Sequence, residues 1–148
     1  MSESTVSIEL RQQQDYQFQA EFGNGVAPLL ADEPPPLGQG GGPSPVQLLA
    51  AAVGNCMSNS LLFALRKYKQ SPEPLSSRIT AEVGRNPENR VRVLGIQAEL
   101  RLGVPAASLQ HLDRVLASFE DYCTVTRSVA AGIPVTVSVY DSTGAQLK

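Results

Sequence analysis

The 148-residue sequence predicts one α+β domain over residues 1–148, with antiparallel sheets around a long buried central helix. Three observations lead there. Apolar residues alternate with period two toward both ends of the chain, one long helical stretch lies between them, and the strands come in runs rather than in β-α-β alternation. The length is near the commonest size of a single domain, enough to bury a core and short of what two ordinary domains need.

Val6, Ile8 and Leu10 alternate with polar residues, and after an interruption at 12–15 so do Tyr16, Phe18, Ala20 and Phe22, the pattern of a half-buried hairpin. Residues 23–43 are dense in Gly and Pro, including Pro34-Pro35-Pro36 and Gly40-Gly41-Gly42, where helix and central strand are both disfavoured. A loop is expected there, with a short strand at Leu29-Leu30. Ser44-Pro45-Val46-Gln47 then starts a helix: Ser44 caps, Pro45 suits the first helical position, and Gln47 completes a capping box. The helix should run from 45 to about 68. Its first four turns are apolar or small on nearly every face, so most of its circumference needs covering by protein.

After Ser71-Pro72-Glu73-Pro74, the residues Ile79, Ala81 and Val83, then Leu94, Ile96, Ala98, Leu100 and Leu102, alternate around a turn at 86–89 and predict a second antiparallel pair. Leu109, Leu112, Val115, Leu116 and Phe119 recur at helical spacing, and Gly132-Ile133-Pro134 stops a second short helix over roughly 124–131. Cys123 falls at the junction of the two helices. Val135, Val137 and Val139 form a last strand.

Composition narrows the function. Hydrophobic residues are 42% and charged ones 18%, so a folded core is expected rather than disorder. With a net charge of −2 and no Lys/Arg cluster, nucleic acid is not an expected partner. The polar start Met1-Ser2-Glu3-Ser4-Thr5 lacks the form of a secretory signal, and Gly54, Asn55, Ser58, Asn59 and Ser60 interrupt the apolar run 48–65 that a membrane span would need unbroken. A cytoplasmic location, away from membranes, is expected.

Two cysteines 67 positions apart match neither a disulfide scaffold nor zinc-ligand spacing, so no metal or cofactor is expected and both thiols are free to react in a reducing compartment. A thiol is useful as thiolate, which helix N-terminal N–H groups and cations favour. Cys123 precedes Thr124, a candidate cap, and Arg127 lies one turn on, while Asp121 opposes. Cys56 lies about three turns inside its helix, where the local dipole helps little, so its activation requires a residue brought from elsewhere. Arg11 is the sole Lys or Arg before Arg66 and thus a further catalytic candidate; a solvated hairpin arginine is its other reading. Two inert, buried thiols are the alternative to a redox pair. His111 stands alone and reads as a surface histidine, and Gly40-Gly41-Gly42 lacks the Lys-Ser/Thr of a phosphate cradle.

The run from Pro43 to Cys56, PSPVQLLAAAVGNC, resembles the entry to the central helix of the OsmC/Ohr family, which carries that family's first cysteine. Tyr122-Cys123-Thr124-Val125-Thr126-Arg127, followed by Ala131-Gly132-Ile133-Pro134-Val135, resembles its second cysteine block and final strand. The resemblance implies an OsmC-like intertwined homodimer and reduction of organic hydroperoxides in oxidative stress defence, with a dithiol reductant closing the cycle. It implies Cys56 as the peroxidatic thiol and Cys123 as the resolving one. The sequence departs from the peroxidase branch at Val46, where a glutamate stands ten residues before the first cysteine, and Arg11 lacks the expected Gly-Gly-Arg-like setting. A non-catalytic dimer binding a small apolar ligand, or a thiol redox sensor, is the alternative reading.

Overall fold

A computed structural model describes residues 3–148. They form two compact units, Met1–Leu48 and Leu49–Lys148.

The first unit is a three-stranded antiparallel sheet in the order β1 (Glu9–Gln14), β2 (Gln17–Glu21), β3 (Leu29–Ala31). The alternation predicts a half-buried hairpin, but of its apolar strand positions only Ala20 on β2 is buried; Phe18 on β2 is 39% exposed and Leu10 on β1 58%. An edge strand in a sheet this small has no opposing layer within its own unit to close over it. The Gly- and Pro-rich stretch after β3 is ordered by one carboxylate. Asp32 is buried and accepts from the backbone N–H of Glu33 at 2.8 Å, Gly41 at 3.0 Å and Gln39 at 3.3 Å, and from the Gln17 amide at 3.2 Å. The Gly41 N–H, and then the others, hold its carboxyl below the usual range against the opposing pull of burial.

Helix α1 (Pro45–Lys67) starts with the expected capping box: the Ser44 N–H donates to Gln47 Oε1 at 2.9 Å, and the Gln47 N–H to Ser44 Oγ at 3.2 Å. By length and composition alone it would suffice to cross a membrane, but Asn55, Ser58, Asn59 and Ser60 interrupt its apolar face. Where most of the helix circumference is expected to be covered, burial follows one stripe: Val53 and Gly54, then Met57, Leu61 and Leu65 at steps of three or four residues, as a single face requires. Phe63, on another face, is 66% exposed.

The second unit adds β4 (Ser76–Arg85), β5 (Val91–Arg101), α2 (Leu112–Ser118), α3 (Thr124–Ala130) and β6 (Val135–Tyr140). Strands β4 and β5 pair antiparallel, as expected, with a register shift at Glu82/Val83 that skips Leu94. The bulge breaks the alternation there and leaves Leu94 38% exposed, while Ile96, Ala98, Leu100 and Leu102 stay on the buried face. The expectation of antiparallel sheets is corrected at β6, which lies parallel to β5 because α2 and α3 carry the chain back before β6 begins. Met57, Leu61 and Leu65 pack with Leu100, Leu102, Val115, Phe119, Cys123 and Val139 in one core, each large apolar side chain contributing about 1.5–3 kcal/mol by burial. His111 does not sit within a helix: it precedes α2 in a left-handed conformation, exposed, its ring stacked on Tyr68 with centroids 4.9 Å apart.

Candidate functional site

Two elements of the second unit bring the cysteines together. Cys56 is on α1, two residues after Gly54, and Cys123 is the residue immediately before α3. Their Sγ atoms are 3.0 Å apart, both free thiols, with Cys123 wholly buried and Cys56 half-buried. A reagent approaching from solvent therefore meets Cys56 first, with Cys123 behind it.

Gly54 sets the approach of α1 to the sheet. A Cβ at this position would lie 2.4 Å from Ile79 Cγ1 and 2.7 Å from its Cδ1, closer than real side chains come. Gly54→Ala gains about 1 kcal/mol of helix propensity but forces α1 off β4, an overpacking cost of about 1–3 kcal/mol. A net loss of stability and a slower Cys56–Cys123 disulfide are expected, read by urea denaturation and by mass spectrometry after oxidation; a more stable variant would show that Ile79 yields freely.

The start of α3 surrounds the thiol pair. No side chain caps this helix, so Thr124 is not the cap expected from the sequence; the Cys123 carbonyl accepts the Arg127 N–H at 2.8 Å and begins the helical ladder. The buried Thr126 hydroxyl lies 3.1 Å from Cys123 Sγ and donates to the Val53 carbonyl on α1 at 3.4 Å. Burial works against a charge on Cys56, but the Cys123 thiol, the backbone N–H groups of Thr126 and Val125 and the Thr126 hydroxyl together hold its thiol below the ordinary range. Burial pushes the Cys123 thiol up, Cys56 adds to that rise, and the hydroxyls of Thr126 and Ser60 oppose it. Cys56 is thus the favoured thiolate and Cys123 the favoured thiol, with the shared proton lying between them.

The other sequence candidates are placed differently. Arg127 is exposed and its side chain makes no ion pair among the described residues. Arg11, in the first unit, is exposed on β1 and engaged by Glu21 at 3.3 Å and by Glu9, which raise its already high pKa. Among the described residues no group of three His, Cys, Asp or Glu is placed to hold a metal. Thr126 and Ser60 were not singled out by the sequence. Their signal was spacing: Thr126 is three residues beyond Cys123 at a helix start, and Ser60 four beyond Cys56 on one helix face.

A family model described as "OsmC-like protein" matches residues 38–138. No curated protein sequence matches the chain. Among solved structures, the chain is similar to an OsmC-like protein of unknown function from Vibrio cholerae (TM-score 0.78, 18% identity, covering 93% of this chain and 99% of that one). It is also similar to an organic hydroperoxide resistance protein from Legionella pneumophila (0.71, 20%, 94% and 98%) and to the organic hydroperoxide resistance protein OhrB of Bacillus subtilis (0.64, 12%, 92% and 98%). At these identities the likeness is one of fold.

Proposed function

The chain belongs to the OsmC-like protein family, and from that premise we propose that it is a thiol-dependent peroxidase that reduces organic hydroperoxides through Cys56 and Cys123. The observation that carries the reading is the pair itself: a half-buried thiol held low in pKa, in contact with a buried thiol held high. Organic hydroperoxide resistance proteins among the similar structures support the substrate class.

The Cys56 thiolate attacks the outer oxygen of the hydroperoxide, the O–O bond breaks, and the departing alkoxide takes a proton to become an alcohol, leaving Cys56 as a sulfenic acid. The Cys123 sulfur then attacks Cys56 Sγ, and the thiol proton leaves with the sulfenic hydroxyl as water while the disulfide forms. A small dithiol returns both thiols by exchange. In this reading the backbone N–H groups of Val125 and Thr126 and the Cys123 thiol supply the activation that a Glu–Arg pair supplies elsewhere, so Val46 is compatible with activity. We place the protein in the cytoplasm as a homodimer; exposed Phe63 on α1 and exposed Val6, Ile8 and Leu10 at the N-terminal strand support association with a second copy.

The test is rapid-reaction consumption of tert-butyl hydroperoxide, cumene hydroperoxide and hydrogen peroxide by pre-reduced protein, with mass spectrometry following a Cys56–Cys123 disulfide. Fast, organic-selective loss is expected. Because only thiolate attacks and Cys56 is held low, the rate should rise with pH through a midpoint below that of an ordinary free thiol. Absence of reaction would favour the second reading, a ligand-binding protein, which a 320 Å³ groove in the first unit supports; Leu10, Tyr16, Phe18, Ala31, Pro45 and Leu48 give it apolar walls.

A further inference from the structure

Cys123 has one thiol proton and two neighbours able to accept it. Cys56 Sγ is 3.0 Å away and Thr126 Oγ1 is 3.1 Å away, on different elements. Thr126 is only 3% exposed, so no solvent competes for its lone pairs, and its own proton goes to the Val53 carbonyl. Beside a neutral Cys123 the hydroxyl thus gives its proton to α1 and turns its lone pairs toward the thiol, whereas toward a thiolate it turns donor.

The two acceptors suit two stages of a cycle. While Cys56 is a thiolate, its charge draws the Cys123 proton onto the line between the sulfurs, which stabilises the thiolate and also blocks that line. Once Cys56 carries an oxygen, the charge is gone. The proton can then turn to Thr126, and a Cys123 lone pair faces Cys56 Sγ, the direction in which the new S–S bond must form. We propose that Thr126 is a positioning residue: it takes the Cys123 thiol proton off the sulfur–sulfur line after Cys56 has been oxidised and thereby sets the rate of disulfide closure. This rests on the peroxidase reading for its physiological oxidant, though not for its geometry.

The step balances without a further reactant. Cys123–SH and Cys56–SOH give the disulfide and one water, Cys56 sulfur being reduced as Cys123 sulfur is oxidised. Thr126 ends the step with the proton it began with. Its contribution is to timing, which decides whether the sulfenic acid is resolved or meets a second hydroperoxide.

The full chain tests this with Thr126→Val, which keeps the branched shape and removes the oxygen, and Thr126→Ser, which keeps the oxygen. Reduced protein is mixed with cumene hydroperoxide, quenched at intervals and analysed by mass spectrometry with dimedone to trap sulfenic acid. Thr126→Val should slow disulfide closure by about tenfold, the loss of one neutral hydrogen bond; closure is timed from the trapped sulfenic acid onward, so the loss of the hydroxyl's support for the Cys56 thiolate in the first step does not enter the rate. Dimedone-trapped Cys56 should accumulate, sulfinic acid should appear at high hydroperoxide, and Thr126→Ser should restore closure. Closure at the wild-type rate in Thr126→Val, or equal slowing in Thr126→Ser, overturns the assignment. If the unmodified protein consumes no hydroperoxide, it is the peroxidase reading that falls. Diamide then isolates Thr126, since it adds to Cys56 and leaves as a hydrazine when Cys123 closes the disulfide: slower closure in Thr126→Val upholds the assignment and an unchanged rate overturns it.

Discussion

Cys56→Ser should lower hydroperoxide turnover by about a thousandfold or more, while Cys123→Ser should leave the first round of hydroperoxide consumption in place and abolish the rounds after it. The difference follows from position. Cys56 is the half-buried thiol, supported as thiolate by the N–H groups of Val125 and Thr126, and serine is far too weak an acid to replace it. Cys123 is buried behind it and donates to the thiolate, a contact that a serine hydroxyl can keep; in the proposed cycle it forms a bond only once Cys56 is oxidised. Without Cys123 the sulfenic acid persists and is carried on to sulfinic acid by excess hydroperoxide. Single-turnover consumption, paired with intact-mass measurement of added oxygens, distinguishes the two variants. Loss of the first round in Cys123→Ser with retention in Cys56→Ser would reverse the roles assigned to the two thiols.

Phe119→Ala should destabilise the protein by about 3–5 kcal/mol, a large share of the 5–15 kcal/mol that holds a typical domain folded. Phe119 is wholly buried in the core with Met57, Leu61 and Val139, and the ammonium of Lys148 lies 5.4 Å from its ring centre. It also opens the 3-10 turn Phe119–Tyr122 that delivers the chain to Cys123. Truncation therefore both empties the core and loosens the support of Cys123. A fall in the urea midpoint with an unchanged slope, accompanied by slower disulfide closure, is expected. A midpoint within about 1 kcal/mol of the unmodified protein would mean that the core collapses around the missing ring.

The sequence carried the local chemistry of this fold well. Ser44, Pro45 and Gln47 locate the start of α1 because a capping box is made of neighbours, and its observed end at Lys67 is within a residue of the expected one. Ile96, Ala98, Leu100 and Leu102 announce their buried face by alternation. Alternation has no direction, however, so Val135, Val137 and Val139 mark a strand without revealing that it runs parallel to β5. Leu94 continues the apolar pattern but leaves the buried face, since a bulge is set by the pairing partner. The cysteines follow the same division. Family resemblance, and not their 67-residue spacing, suggested that they work together. Part of what lowers the Cys56 pKa was hidden because backbone N–H groups have no residue identity to read, and the charges weighed in the sequence, Arg11 for Cys56 and Arg127 for Cys123, are not among the causes of either shift.

The distance along the chain between the two thiols has a further consequence. Native folding brings together sulfurs 67 positions apart, whereas an open chain would seldom do so. Once joined, they deny the open chain its widest excursions, a restriction that favours the folded form by about 4 kcal/mol on the chain-entropy account. The oxidised molecule is then the more durable one under heat or proteolysis. If the proposed cycle operates, copies left as disulfide when reductant runs short would outlast their reduced neighbours and return to work when reducing power recovers.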